Sequence, residues 1–398
     1  MKKLRSIKYG GAVTNLEEQR AIIKSIKLSM KTRNWQSSEE GYLMEQETAK
    51  YLGVKHGVLT SSGSCAGLLA LSALELPKGS EVIISACTFP TIFNIILQCG
   101  LIPVVVDAKV GSYTFDIGEV EKAITPYTKA IIAIHPVGNP VDMPKLMEMV
   151  KRQDHKIWVL EDNCDGWGSN IGNKKVGSFG DISITSFHAA HIVSMGVGGG
   201  VYTDNDDLAK NVRMYRDWGR QANTFEPNKY PELPSDYNPR FIYEKIGYNF
   251  QILELQAAMG RVQLKKTQKI KEARKNNFDY IIKKLSKYDD LILPNVIENA
   301  DVCWFSIPLT YKRDRASLVA HLEQNGIETR SMFAGNITRH PAYVGSSYKI
   351  GSELVGADYI LEHSFWISCH PSLTKSDLDY VINVFEDYFD AKAKTNFK

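Results

Sequence analysis

Ser183-Ile184-Thr185-Ser186-Phe187-His188-Ala189-Ala190-His191 runs directly into Gly196-Val197-Gly198-Gly199-Gly200, and the fold is read outward from this stretch. Ile182–Ser186 is a short β-prone run, so the segment predicts a strand that ends in a serine, two histidines and a glycine-rich turn. Hydroxyl, imidazole and permissive backbone thus gather at one strand end. Upstream and downstream, similar runs occur at Gly57–Leu59, Val82–Ala86, Val104–Val106, Ala130–Ile134, Ile157–Leu160 and Gly200–Thr203, separated by helical patterns. Such alternation predicts an α/β fold with a mostly parallel sheet covered by helices. In an open α/β sheet the residues just after parallel strands meet at one edge, where ligands bind.

Two other strand ends carry chemistry. Ser61-Ser62-Gly63-Ser64-Cys65-Ala66-Gly67 precedes the apolar helix Leu68–Leu74. Small residues at a helix start aim backbone N–H groups at one point and suit a phosphate, although the same pattern reads equally as a capping turn. Glu161-Asp162-Asn163-Cys164-Asp165 closes the run Ile157–Leu160. A carboxylate there suits a protonated heterocyclic nitrogen, and equally an acidic loop or a helix cap.

The remaining sequence bounds the problem. Of 398 residues, 43% are apolar and 23% charged, with a net charge of +3. This composition is globular and argues against a general nucleic-acid binder, which needs a concentrated basic surface. Lysine-rich Ile270–Lys287 places Ile270, Ala273, Phe278, Ile281, Ile282 and Leu285 at helical spacing, so its lysines read as a solvated face. No apolar run reaches the roughly 20 residues of a membrane span, and Met1–Lys8 leads into polar sequence; a cytoplasmic location is expected. Cys65, Cys87, Cys99, Cys164, Cys303 and Cys369 form no CxxC pair, so reduced thiols and no metal site are expected. Asn223–Arg240, with four prolines, reads as a long surface loop. Helices are expected over Gln251–Tyr288. A strand at Cys303–Tyr311, a helix at Ala316–Asn325, a strand near Ile327–Ser331 and a helix at Ser376–Asp390 complete the chain. The division drawn is a large cofactor-binding α/β domain, residues 1–255, followed by a connector helix and small α+β domain, residues 256–398.

Phosphate loop, acidic strand end and Ser-Phe-x-x-x-(base) turn together resemble the DegT/DnrJ/EryC1/StrS sugar aminotransferases, fold-type-I (aspartate aminotransferase-like) pyridoxal-phosphate enzymes. Nearly the whole chain is covered. In that family the turn reads Ser-Phe-x-x-x-Lys and its lysine tethers the coenzyme; here the position holds His191. That change marks the lysine-less 3-dehydratase branch, which includes CDP-4-keto-6-deoxyglucose 3-dehydrase and GDP-4-keto-6-deoxymannose 3-dehydratase. Phe89-Pro90-Thr91, Gly138-Asn139-Pro140, Arg216-Asp217-Trp218-Gly219-Arg220, Gly247-Tyr248-Asn249 and Phe333-Ala334-Gly335-Asn336 are similar to the former. Two departures stand out. The CDP-sugar enzyme carries cysteines for a 2Fe–2S cluster where this chain has no cysteine from Gly166 to Val302, so no cluster is expected. Val197 occupies a position where many relatives have Glu.

The resemblance implies that Gly63, Ser64 and Ser186 hold the cofactor phosphate, joined by Asn249 from a neighbouring subunit. It also implies that Asp162 pairs with the pyridine nitrogen, Phe89 lies on the ring face and Asp165 sits near the ring hydroxyl. His191, unable to tether the coenzyme stably, would act as base on non-covalent pyridoxamine 5'-phosphate. The implied reaction removes the C-3 hydroxyl of a nucleotide-linked 4-keto-6-deoxyhexose, releasing a 3-deoxy-4-keto sugar, ammonia and pyridoxal 5'-phosphate. An amino donor such as glutamate restores the amine form, and a homodimer is implied. His188 reads as a support for the turn, and His135, His340 and His370 as packing or hydrogen-bonding residues. Arg216, Arg220, Arg330 and Arg339 are candidates for diphosphate or glutamate contacts, with Arg220 the one singled out for substrate. Rival readings are a true aminotransferase, whose nearest lysines are Lys174 and Lys175, and a non-catalytic regulator of the same fold.

Overall fold

The computed structural model describes residues 5–221, 230–234 and 236–396; the proline-rich Asn223–Arg240 stretch therefore lies partly outside the described residues. Among the described residues the large sheet has eight strands, seven of them before residue 204: β1 (His56–Thr60), β2 (Glu81–Ser85), β3 (Ile102–Val106), β4 (Thr128–Ile134), β5 (Trp158–Asp162), β6 (Ile182–Ser186) and β7 (Gly199–Thr203). Their order is β1-β7-β6-β5-β4-β2-β3, with β7 antiparallel to both neighbours and the other pairs parallel.

Both faces of this sheet are covered, which is why the strands read as continuous apolar runs rather than alternating ones. Val82, Ile84, Val105, Ala130, Ile132 and Leu160 face one core. The interleaved Ile83, Val104, Val106, Ile131, Ala133 and Val159 face the other, as the two-residue period of a strand requires. Helices Gly63–Ala73 and Pro90–Gln98 pack on the first face and Ile117–Lys122 and Met143–Lys151 on the second.

The C-terminal part adds β8 (Leu291–Ile292), β9 (Ile307–Tyr311), β10 (Arg330–Ser331), β11 (Lys349–Ile350) and β12 (Ser364–Ile367). An antiparallel sheet runs β8-β9-β12-β10, whereas β11 leaves it and extends the large sheet beside β3. The strand expected at Cys303–Tyr311 begins only at Ile307. Cys303 and Phe305 donate their N–H groups to Ser169 Oγ and Val137 O instead of to a sheet neighbour. Helices Leu16–Thr32 and Glu39–Leu52, not read from the sequence, pack on helix Glu254–Lys265. The lysine-rich helix Thr267–Leu285 has the expected solvated face, with Lys269, Lys275, Lys283 and Lys284 exposed, and two basic residues depart from it. Lys271 is buried, donates to Gly168 O at 2.8 Å and pairs with Asp301, and Arg274 is buried as well. Among the described residues no helix is long and apolar enough to cross a membrane, and no group of three or more His, Cys, Asp or Glu is placed to hold a metal ion.

Candidate active site

A cavity of about 740 Å³ opens at the edge where the parallel strands end. Helix Gly63–Ala73 starts there. Ser62 caps it, accepting the Cys65 N–H at 3.1 Å, while the Gly63 and Ser64 amides, in the first turn, have no carbonyl a turn earlier to meet. Two glycines allow the close packing around this helix start. A Cβ on Gly63 would stand 2.8 Å from Ser186 Cβ, and one on Gly199 would stand 2.4 Å from Ser62 O. Ser186 ends β6, and its Oγ accepts the His188 N–H at 3.3 Å, leaving its own O–H to donate elsewhere.

Asp162 ends β5 and is buried; Oδ1 accepts the Cys164 N–H at 3.1 Å. Burial pushes its carboxyl above the usual range, and among the described residues no cation pairs with it. Such a carboxylate fits a protonated ring nitrogen, as the exposed amides of Gly63 and Ser64 fit a phosphate. Phe89, set after β2 by Pro90 at the first helical position, is 57% exposed although aromatic, and offers its surface to the cavity. The site thus has the parts that a phosphorylated pyridine needs.

On the wall beside Asp162, Asp165 Oδ1 lies 3.3 Å from His191 Nδ1, and Asp165 Oδ2 accepts the Val137 N–H at 3.2 Å. Phe305 packs 5.3 Å from the imidazole, centroid to centroid. His188 accepts the Ala190 N–H on Nδ1 at 3.3 Å, so its neutral ring carries the proton on Nε2. Partial burial, then the nearby His191, lowers its pKa. His135 is likewise fixed. Its Nδ1 accepts from Val141 N, so Nε2–H donates to Glu161, which also accepts three backbone N–H groups from Gly177, Phe179 and Gly180.

Gly63, Ser64, Phe89, Asp162, Asp165, Ser186 and His191 all line this one cavity. Asn249 does not; it is exposed and outside the cavity of its own chain. Arg220 is also outside, its guanidinium 5.1 Å from the Trp218 ring centroid, so within one chain it does not meet the site. Of the far-wall residues Tyr9, Phe305, Arg330, Ser331 and Trp366, only Arg330 was read from the sequence, as a candidate oxyanion contact. Tyr9 comes from the N-terminal segment, and Phe305, Arg330, Ser331 and Trp366 from the C-terminal part. Trp366 pairs in register with Arg330 across β12 and β10, a placement that depends on strand pairing rather than local pattern. Lys174 and Lys175 lie over the Phe179 and Tyr51 rings, and among the described residues no lysine lines the cavity.

The chain is 37% identical to the lipopolysaccharide biosynthesis protein RfbH of Salmonella typhimurium, with 87% of this chain and 84% of that protein covered. To the dTDP-4-dehydro-2,6-dideoxy-D-glucose 3-dehydratase of Saccharopolyspora spinosa it is 36% identical, with 86% and 79% covered. The crystal structure of Escherichia coli GDP-4-keto-6-deoxy-D-mannose-3-dehydratase with bound hydrated PLP superposes with a TM-score of 0.86 at 28% identity, covering 96% of this chain and 100% of that one. A family profile matches residues 16–386, and with the fold and the strand-end cavity this shows that the chain belongs to the DegT/DnrJ/EryC1/StrS aminotransferase family.

Proposed function

We propose that the protein is a pyridoxamine/pyridoxal-phosphate-dependent 3-dehydratase of a nucleotide-linked 4-keto-6-deoxyhexose, regenerated by an amino donor such as glutamate and working without an iron–sulfur cluster. One observation carries this reading: the wall that would need a lysine presents the His191 imidazole with the Asp165 carboxylate 3.3 Å from its Nδ1. Relatives named as 3-dehydratases of nucleotide sugars support it.

The coenzyme, when bound, supplies an amine for condensation with a ketone and a protonated ring that takes up electrons. Gly63 and Ser64 would hold its phosphate through their amides, with the Ser186 hydroxyl, and Asn249 would come from a partner subunit. Asp162 would keep the ring nitrogen protonated; the charge it meets there relieves its own burial. Phe89 would cover the ring face. Asp165 Oδ1, 3.3 Å from a buried Nδ1 that has no hydrogen-bond partner among the described residues, would orient His191 by accepting from Nδ1–H on a small rotation; Nε2 would then be the nitrogen that takes a proton and returns it to the departing C-3 hydroxyl as water forms. Apolar Phe305 beside the imidazole limits water at that nitrogen.

The test uses purified protein with pyridoxal phosphate and a panel of CDP-, GDP-, dTDP- and UDP-4-keto-6-deoxyhexoses. Borohydride should trap no lysine adduct, glutamate should convert the aldehyde absorbance to that of the amine, and one sugar should lose its C-3 hydroxyl. His191→Asn should cut dehydration by at least about 100-fold while retaining coenzyme. A trapped adduct would instead indicate an aminotransferase, and coenzyme binding without turnover on any sugar a regulator.

A further inference from the structure

Four arginines are candidates for binding oxyanions, and their surroundings separate them. Arg216 is engaged by Glu45 at 2.9 Å and by Asp217 at 3.0 and 3.1 Å. Arg339 forks onto Asp358 at 2.9 and 2.6 Å. Arg220 lies outside the cavity on Trp218. Arg330 alone among the described arginines and lysines lines the cavity, so it is the permanent cation of that wall.

Its setting is that of a held but open fork. The guanidinium carbon sits 4.1 Å from the Tyr9 ring centroid, and Nη1 donates to Thr329 O at 2.6 Å. Glu328 Oε2 is 3.7 Å from Nη2, beyond hydrogen-bonding distance, and itself accepts the Tyr9 N–H at 3.2 Å. The Arg330 side chain stays 45% exposed. Stacking fixes the guanidinium plane, while among the described residues its remaining N–H groups have no acceptor within hydrogen-bonding distance. The phosphate end of the cavity, by contrast, is built from amides and hydroxyls.

A planar fork carrying one charge, partly offset by Glu328, matches a planar monoanion better than a doubly charged diphosphate. Resting on the proposed function, which requires an amino donor, we infer that Arg330 is the anchor for a carboxylate of the amino-acid donor. It holds the donor at the far wall while the amine reaches the floor near Asp162 and His191.

The test follows conversion of the aldehyde to the amine absorbance in pyridoxal-phosphate-loaded enzyme mixed with a glutamate series, without sugar, for the unaltered protein, Arg330→Gln and Arg330→Lys. Calorimetric binding of glutarate, which has carboxylates but no amine, and of CDP, GDP, dTDP and UDP is measured alongside. Arg330→Gln should raise half-saturating glutamate and weaken glutarate by about tenfold or more, with Arg330→Lys between. Coenzyme content and nucleotide affinity should stay level. Equal glutamate saturation in all three proteins would overturn the anchor, and lost nucleotide affinity with unchanged glutamate would reassign Arg330 to the diphosphate. If the unaltered protein dehydrates a sugar yet no amino acid converts its coenzyme, the donor half of the proposed function falls and the anchor with it. Conversion in the unaltered protein with no shift in the variants sinks the anchor alone.

Discussion

Asp162 has a buried carboxylate that meets a backbone N–H and, among the described residues, no ion-pair partner. Its raised pKa means that the folded state holds its proton to higher pH than the unfolded chain, so ionisation of this group lowers stability as pH rises past the ordinary carboxylate value. Asp162→Asn should therefore leave the apo-protein's Tm level or higher, while weakening pyridoxal phosphate by about tenfold or more, the scale of one charge-assisted contact. Thermal scans with and without coenzyme check both halves, and a lowered apo Tm would contradict the account. Gly63→Ala should act differently. Its new Cβ would press on Ser186 at 2.8 Å, so both stability and coenzyme affinity should fall. The residue types at these positions were legible because they sit in a motif. The pairing of Asp165 with His191 was not; it joins two loops through side-chain orientation, and the sequence placed Asp165 by resemblance alone.

At the scale of elements, Glu254 begins one helix and caps another. It is 2% exposed and accepts from Ser38 N at 2.6 Å, Ser38 Oγ at 2.9 Å and Glu40 N at 2.7 Å, so its carboxylate neutralises the positive end of helix Glu39–Leu52. Glu254→Gln turns an amide N–H₂ toward those donors and should cost about 1–3 kcal/mol, measured by denaturant unfolding. Strands β1–β7 could be read because each is a short apolar run between breakers, and a parallel strand covered on both faces has no alternative use for such a run. The N-terminal helices escaped notice. In Leu16–Thr32 only Glu18, Ser25 and Ser29 are fully buried, so no apolar stripe announces it.

For the whole molecule, His370 links the chain's ends. Its Nε2 donates to Gly11 O at 2.9 Å while Nδ1 accepts the Ser372 N–H at 3.2 Å, an arrangement open only to the neutral ring. Burial, then the Arg274 charge, lowers its pKa. As pH falls below the ordinary imidazole value of about 6.5 the unfolded chain takes the proton first, so this group's contribution to stability is lost on acidification. Tm measured from pH 7 to about 5 should fall less steeply for His370→Gln than for the unaltered protein. Class of fold and floor of the cavity were legible at this scale, and Arg330 as an oxyanion candidate, whereas its company on the far wall was not, since Tyr9, Arg330 and Trp366 meet only through long-range packing. That wall has a consequence for biosynthesis. Because it draws on Tyr9 and on Trp366, a chain still emerging from the ribosome carries the Gly63–Ser64 turn well before it can enclose the chamber. Coenzyme taken up before residue 366 has joined that wall would face solvent on that side.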